Sequence, residues 1–227
     1  MKRRPTHELL DDDSGTATEI TESLRDLQSF NQRLGGIATT RELIRRIATI
    51  GRWQQFSLLE VAAGTGFVPT SAAEELRLDG VRLNITLLDR AATHLPKNGS
   101  YQKVVADALT LPFADSSFDV VSSSLFLHHL SPDQVVLFAR ESLRVARIAF
   151  LVNDLIRHPL HLALAYAGAP LYRSRLTRHD APASVKQAYT PQELRALLVE
   201  GGAKNIELQR HYLFRMGLVA WKFEQGQ

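Results

Sequence analysis

Apolar residues recur along this chain with two different periods, and the change from one to the other outlines its elements. From Glu19, the residues Ile20, Leu24, Leu27 and Leu34 return at helical spacing, Gly35 and Gly36 interrupt, and Ile37, Ile44, Ile47 and Ala48 resume the pattern. Two short amphipathic helices are therefore predicted over residues 19–50. Short continuous apolar runs follow at 56–61, 82–88, YQKVVA (101–106), FDVVSSS (118–124) and IAFLVND (148–154), each the length of a buried strand. Helical patterns separate them: 68–78, a short helix after the second strand, and a helix opened by Ser131 and Pro132. Thr190 and Pro191 open another, with Glu193 at the capping-box position and Gly201-Gly202 at its end. Two strand-like runs, AKNIELQR and YLFRMGLVAWKF, finish the pattern. Strands alternating with helices predict an α/β fold with a doubly wound, mostly parallel sheet.

Length and composition narrow this further. A chain of 227 residues accommodates one α/β domain, predicted over 19–227, and residues 1–18, with Asp11, Asp12 and Asp13 in a row, are expected to be a flexible tail. Hydrophobic residues at 44% and charged residues at 22% exclude bulk disorder and fibrous classes. The absence of cysteine excludes disulfides, thiolate metal sites and cysteine nucleophiles. No apolar run follows the opening MKRRP, and LHLALAYAGAPL is shorter than a membrane span, so no span is expected and a cytoplasmic location is. The net charge of +3 permits nucleic-acid binding without requiring it. The two arginine clusters, Arg41, Arg45, Arg46 and Arg52, then Arg173, Arg175 and Arg178, read as solvated helix faces.

Candidate chemistry begins with LLEVAAGTGF, residues 58–67. In an open α/β sheet the loop after the first strand borders the ligand crevice, and Gly64 and Gly66 let backbone approach a ligand closely. Asp89 ends the second strand at about the separation from which an acid meets two ribose hydroxyls. A dinucleotide loop needs a third glycine where this chain has Pro69, which lacks an N–H to give a phosphate. The ligand expected is thus nucleoside-like and without phosphate at that point.

Taken together, LLEVAAGTG, LLD and VVADALTLPFADSSFDVVSSSLFLHHL resemble the class I S-adenosylmethionine (SAM) dependent methyltransferases of the small-molecule kind, similar to quinone-biosynthesis and polyketide-tailoring enzymes. The resemblance covers about residues 55–155. It departs at Ala62, where the family commonly has the first glycine of its loop. The resemblance implies a Rossmann-like seven-stranded sheet with an antiparallel last strand, a helical cap at 19–50 and a substrate-side insertion at 155–186. It implies SAM as cofactor, S-adenosylhomocysteine as product, and no metal. Carried onto this chain, Glu60 holds the methionyl amino group, while Ala62, Gly64 and Gly66 form the loop. Asp89 takes the ribose and Arg90 borders the adenine. Asp107 accepts from the adenine amino group with Ala108 beside it, Leu109 and Phe113 wall the ring, and Ser123 and Ser124 complete the set.

At the adjacent strand tips, His128 is a candidate general base and Asp154 a carboxylate to orient it. His129, His158, His161, Tyr166, Tyr172 and Arg173 are candidates for lining the acceptor, and Arg33 for meeting the cofactor carboxylate. The insertion and LRDLQSFNQRLGG are similar to bacterial methyltransferases encoded beside type III polyketide synthases. That points to secondary metabolism and to an aromatic, phenolic or polyketide-like hydroxyl or carbon as acceptor. Ser123-Ser124-Leu125 stands where RNA and amine methyltransferases usually carry an Asn/Asp-Pro-Pro-Tyr-like motif. Two alternatives stay open: an RNA methyltransferase using the basic clusters, and a non-catalytic SAM-binding protein. A monomer and a homodimer are equally compatible with the sequence.

Overall fold

A computed structural model describes residues 1–97, 99, 101–211 and 213–222. Seven strands form one sheet: β1 Gln55–Val61, β2 Arg82–Asp89, β3 Gln102–Val105, β4 Phe118–Ser124, β5 Ala146–Leu155, β6 Asn205–His211 and β7 Arg215–Trp221. Their order is β3-β2-β1-β4-β5-β7-β6, parallel except for β7, which runs antiparallel to both of its neighbours. The predicted doubly wound, seven-stranded, mostly parallel sheet is the one observed. The last run was read from Tyr212 to Phe223; those two ends lie outside the described residues, and the strand between them is β7.

Successive side chains of a strand face opposite sides of the sheet, so each central strand must feed two cores. Leu59, Val61, Val121, Phe150 and Val152 face one layer, which holds α4 Pro132–Val145 and α7 Pro191–Glu200. Leu58, Leu87, Val120, Leu151 and Trp221 face the other, against α2 Gly36–Gly51 and α3 Phe67–Leu78. Burial on both faces explains why β5 and β7 read as continuous apolar runs. Each large side chain so buried contributes about 1.5–3 kcal/mol.

Capping chemistry sets the helix starts. Ser131 and Thr190 cap α4 and α7 through reciprocal boxes with Gln134 and Glu193. Thr16 does the same with Glu19 for α1 Ala17–Arg33, so the first helix begins earlier than predicted, and it is 17 residues long. Gly35, left-handed at φ 80°, separates it from α2. The short helix expected after β2 is absent: the described residues there form turns, fixed by Ala91 N–H donating to Asp89 and His94 N–H to Ala91. Residues 155–186 fold as α5 Pro159–Ala167, a single 3₁₀ turn, and most of α6 Arg175–Gln187.

The segment expected to be a flexible tail is instead docked along α6. Arg3 donates to the carbonyls of Gln187, His128 and Leu130 and lies over the Tyr189 ring. The N–H groups of Leu9 and Leu10 donate to the Asp180 carboxylate at 2.8 and 3.0 Å. Glu8 is buried. Of the three acids that made this segment look solvated, Asp11 and Asp13 help fasten it, to His129 and His94, while Asp12 pairs with His7 within the segment.

Candidate active site

The strand order reverses between β1 and β4, and there the carboxyl ends of the strands open into one cavity of about 640 Å³. At one end of it stands Glu60, 1% exposed because both faces of β1 are covered. Burial raises its carboxyl to about 7, with the nearby Ser122 and Ser124 hydroxyls offsetting part of the effect. Its Oε2 is buried with no protein partner. A carboxylate in that state is expensive unless a cation meets it.

The following loop bends through three left-handed residues, Ala62 (φ 56°), Gly64 (51°) and Gly66 (69°). A Cβ on Gly66 would lie 2.6 Å from Leu87 Cδ1, whereas one on Gly64 would meet nothing within 4 Å, because that face is the open cavity. Ala62 holds a conformation that disfavours a side chain by about 1 kcal/mol. Gly64 N–H donates to Asp89 Oδ2 at 2.8 Å and Ala91 N–H to Oδ1 at 2.9 Å. The carboxylate is thereby fixed at the cavity wall with a lone pair spare on each oxygen. Asp107 uses Oδ1 to accept from Leu109 N–H at 2.9 Å, so it forms its turn and lines the cavity as well. Arg90, Ala108, Leu109 and Ser124 line the same end.

The other end is built from residues far apart in sequence. His128, in the 3₁₀ turn after β4, places Nδ1 2.7 Å from Asp154 Oδ1. Asp154 also accepts from the N–H groups of His128 and Leu155. On the far side of the ring, Glu8 Oε1 lies 3.6 Å from His128 Nε2. Burial by itself would lower the imidazole's pKa, but the charge and hydrogen bond of Asp154, with Glu8 opposite, outweigh it and raise it to about 10. Burial likewise favours neutral Asp154, and His128 overrides it and holds the carboxyl below its ordinary range. The raised pKa favours a protonated ring at neutral pH, which works against the free general base expected from the sequence. His129 Nδ1 pairs with Asp11 Oδ2 at 2.9 Å.

Asp154 itself lies behind His128, outside the cavity wall, and so positions the ring. Ser123 is corrected too: it is fully buried and its hydroxyl donates to Val61 O, away from the cavity. Of the residues expected to line the acceptor, His129, His161 and Tyr172 do so, and His158, Tyr166 and Arg173 do not. His158 caps α5 and stacks on Phe214, Tyr166 lies half exposed under Lys186, and Arg173 reaches outward to Asp26. His161 donates its Nδ1 proton to Ile156 O, and burial lowers its pKa.

Three residues escaped the sequence reading. Glu8 and Asp11 sat in the presumed tail. Arg215 replaces Arg33, which is exposed and away from the cavity. Arg215 is buried in β7, donates to Asn153 Oδ1 at 2.9 Å and to Asn31 Oδ1 at 3.4 Å, and leaves Nε unpartnered. Burial lowers its pKa to about 10, with the Asp154 charge opposing. The available signal was an arginine inside the otherwise apolar run LFRMGLVAW, a position a strand core does not tolerate without a partner.

This geometry has counterparts. A methyltransferase domain family model matches residues 59–148. The 27-O-demethylrifamycin SV methyltransferase of Amycolatopsis mediterranei (strain S699) is 31% identical over 146 residues, which are 62% of this chain and 46% of the relative. The chain thus spans about half the length of that curated relative. Among solved structures, the plantazolicin methyltransferase BamL, with a desmethyl analogue and S-adenosylhomocysteine, superposes with a TM-score of 0.67 at 10% identity, covering 90% of this chain and 91% of that one. Human N-acetylserotonin methyltransferase with SAM gives 0.63 at 15% identity, covering 90% and 56%. Residues 59–148 thus match a methyltransferase domain, and the sheet with its flanking helices has the fold of these solved SAM-dependent methyltransferases. Among the described residues, no helix is long and apolar enough to cross a membrane.

Proposed function

We propose that this chain transfers the methyl group of SAM to a small-molecule acceptor, an aromatic, phenolic or polyketide-like hydroxyl or carbon. The observation that carries this reading is one cavity with two unlike ends: one has a buried carboxylate with an unpartnered oxygen, a fixed Asp89 and a cradle open at Gly64; the other has apolar walls and histidines. The unpartnered Oε2 of Glu60 fits the methionyl ammonium, and Arg215 suits the methionyl carboxylate. Asp89 would take the ribose hydroxyls, and Asp107 with Ala108 the adenine edge. When bound, the cofactor supplies a methyl carbon already activated by its sulfonium.

The chain's own contribution is then alignment and exclusion of water. The N-terminal segment and α1 roof the cavity, with Leu10, Leu24, Leu27 and Phe30 turned to it. The His128 imidazolium, braced by Asp154, donates toward an acceptor oxygen that has already released its proton to solvent, and so stabilises the anion that attacks a methyl carbon. A relative named for a reaction on 27-O-demethylrifamycin SV supports a natural-product hydroxyl as the target.

Ion pairing supports this reading over RNA. Arg41, Arg45 and Arg46 bind Glu75, Asp79 and Glu207, and Arg173 and Arg175 bind Asp26 and Glu19. Arginines neutralised in that way offer little to a phosphate backbone. The test is calorimetry with SAM and S-adenosylhomocysteine, then a phenolic acceptor panel read by S-adenosylhomocysteine release. Binding with release supports the proposal, and binding without release across a broad panel returns the non-catalytic alternative. No heat with either cofactor form would overturn it.

A further inference from the structure

We propose that Glu8, His128 and His129 form a site for one divalent cation of the zinc, cobalt or manganese group at the acceptor end of the cavity. One ring nitrogen from each histidine and one Glu8 carboxylate oxygen all lie within 4.8 Å of one another. No motif spacing points to this set, since Glu8 lies in the segment expected to be a tail.

The outer partners favour a metal. Asp154 engages Nδ1 of His128 at 2.7 Å and Asp11 engages Nδ1 of His129 at 2.9 Å. A carboxylate that takes the Nδ1 proton leaves Nε2 as the lone-pair donor, which is how metal-ligating histidines are usually oriented. Glu8 is placed just as firmly: its Oε1 accepts from Ser184 Oγ at 2.7 Å and from Gln187 Nε2 at 2.6 Å.

Distance makes the second argument. The 3.6 Å between Glu8 Oε1 and His128 Nε2 is longer than a good N–H···O bond. Two ligands bonded to one ion at about 2.1–2.2 Å in a tetrahedral arrangement stand roughly 3.4–3.6 Å apart. The pair is spaced for an ion between them.

Charge makes the third. Three carboxylates, Glu8, Asp11 and Asp154, surround two imidazoles, and among the described residues no lysine or arginine is ion-paired with them. Mixed imidazole and carboxylate donors suit zinc, cobalt or manganese better than magnesium or calcium. The further step, that such an ion holds the acceptor oxygen as its anion, rests on the methyl-transfer reading.

The experiment uses untagged full-length protein, stripped with chelator and titrated calorimetrically at pH 8 with Zn²⁺ or Co²⁺, and separately with SAM. The expected result is one equivalent of metal, with visible d–d absorption for Co²⁺. Asp11→Asn, at the rim, should weaken metal binding by about 10–100-fold. Glu8→Gln should weaken it at least as much and abolish the Co²⁺ absorption, with thermal melts confirming that both variants fold. His211→Ala, in β6 and outside the cavity, should bind as the parent does. Substoichiometric binding, or binding that survives Glu8→Gln at full affinity, means an adventitious ion and overturns the site. Heat with SAM and none with metal sinks the cation site alone, and heat with metal and none with SAM sinks the methyl-transfer reading alone.

Discussion

The two ends of the cavity are built on opposite plans. Residues 60–109, one β-α-β-β stretch, supply most of the cofactor end, and one oxygen of its key carboxylate lacks a partner. The acceptor end draws on residues 8–11, 128–129, 154 and 184–187, and its groups are held by one another. An end that waits for a ligand keeps unmet polar groups at some cost in stability, whereas an end that shapes a ligand's surroundings must be rigid before the ligand arrives. Substitutions at the first end should therefore show in binding, and those at the second in folding.

The largest effect expected is at the acceptor end. In chelator, Asp154→Ala leaves the buried His128 cation without its partner and should cost about 3–5 kcal/mol, read by urea unfolding. The folded pKa of His128 is raised to about 10 from 6.5, so the pair's stabilisation is complete below about 6.5 and lost as pH rises through 10. If the variant unfolds with the parent's midpoint at pH 7, the two ends do not differ as argued.

Asp89→Ala comes next, weakening SAM binding by about 1–3 kcal/mol through loss of the acceptor for two hydroxyls. Its unfolding midpoint should move much less than that of Asp154→Ala. Calorimetry and chemical denaturation on the same sample check both halves.

Glu60→Gln sharpens the contrast, because it should stabilise the empty protein while weakening SAM. A carboxyl raised to about 7 from 4.5 contributes fully below 4.5 and loses its contribution as pH rises through 7. The loss amounts to roughly 3 kcal/mol at most. At pH 8 the variant should therefore gain about 1–3 kcal/mol without cofactor. In the parent, SAM affinity should fall as pH drops below about 7, since a protonated Glu60 offers no charge to the ammonium. A pH-independent affinity would remove Glu60 from the cofactor site.

The smallest effect belongs to Ala62→Gly. Relief of the left-handed strain is partly offset by the greater freedom of glycine in the unfolded chain, so stability should change by under about 1 kcal/mol, measured by thermal melt.

Legibility followed the same division. Glu60, Gly64, Asp89 and Asp107 line one cavity; topology alone points to Gly64 and Asp89 at adjacent strand tips, whereas Glu60 and Asp107 came from the family resemblance. His128 and Asp154 were readable as neighbours, yet their protonation was not, since it depends on Glu8 arriving from the other end of the chain. Ser123 failed for a local reason: one step along a strand turns a side chain to the opposite face, and the serine that lines the cavity is Ser124. Tyr166 failed because a helix shows only one face to what it covers, and His158 and Arg173 failed because they stand at helix entries, one capping α5 and the other paired with Asp26.

The amino-acid sequence by itself determined the strand rhythm, the helix starts and the cofactor loop, all set by residues within a few positions of each other: periodicity, caps and left-handed turns. Tertiary structure alone decided that an acidic leader is a packed wall, that Arg215 faces the cavity and that Glu8 meets two histidines. Burial and long-range pairing set the state of each of those groups, and neither is a property of any short stretch of chain.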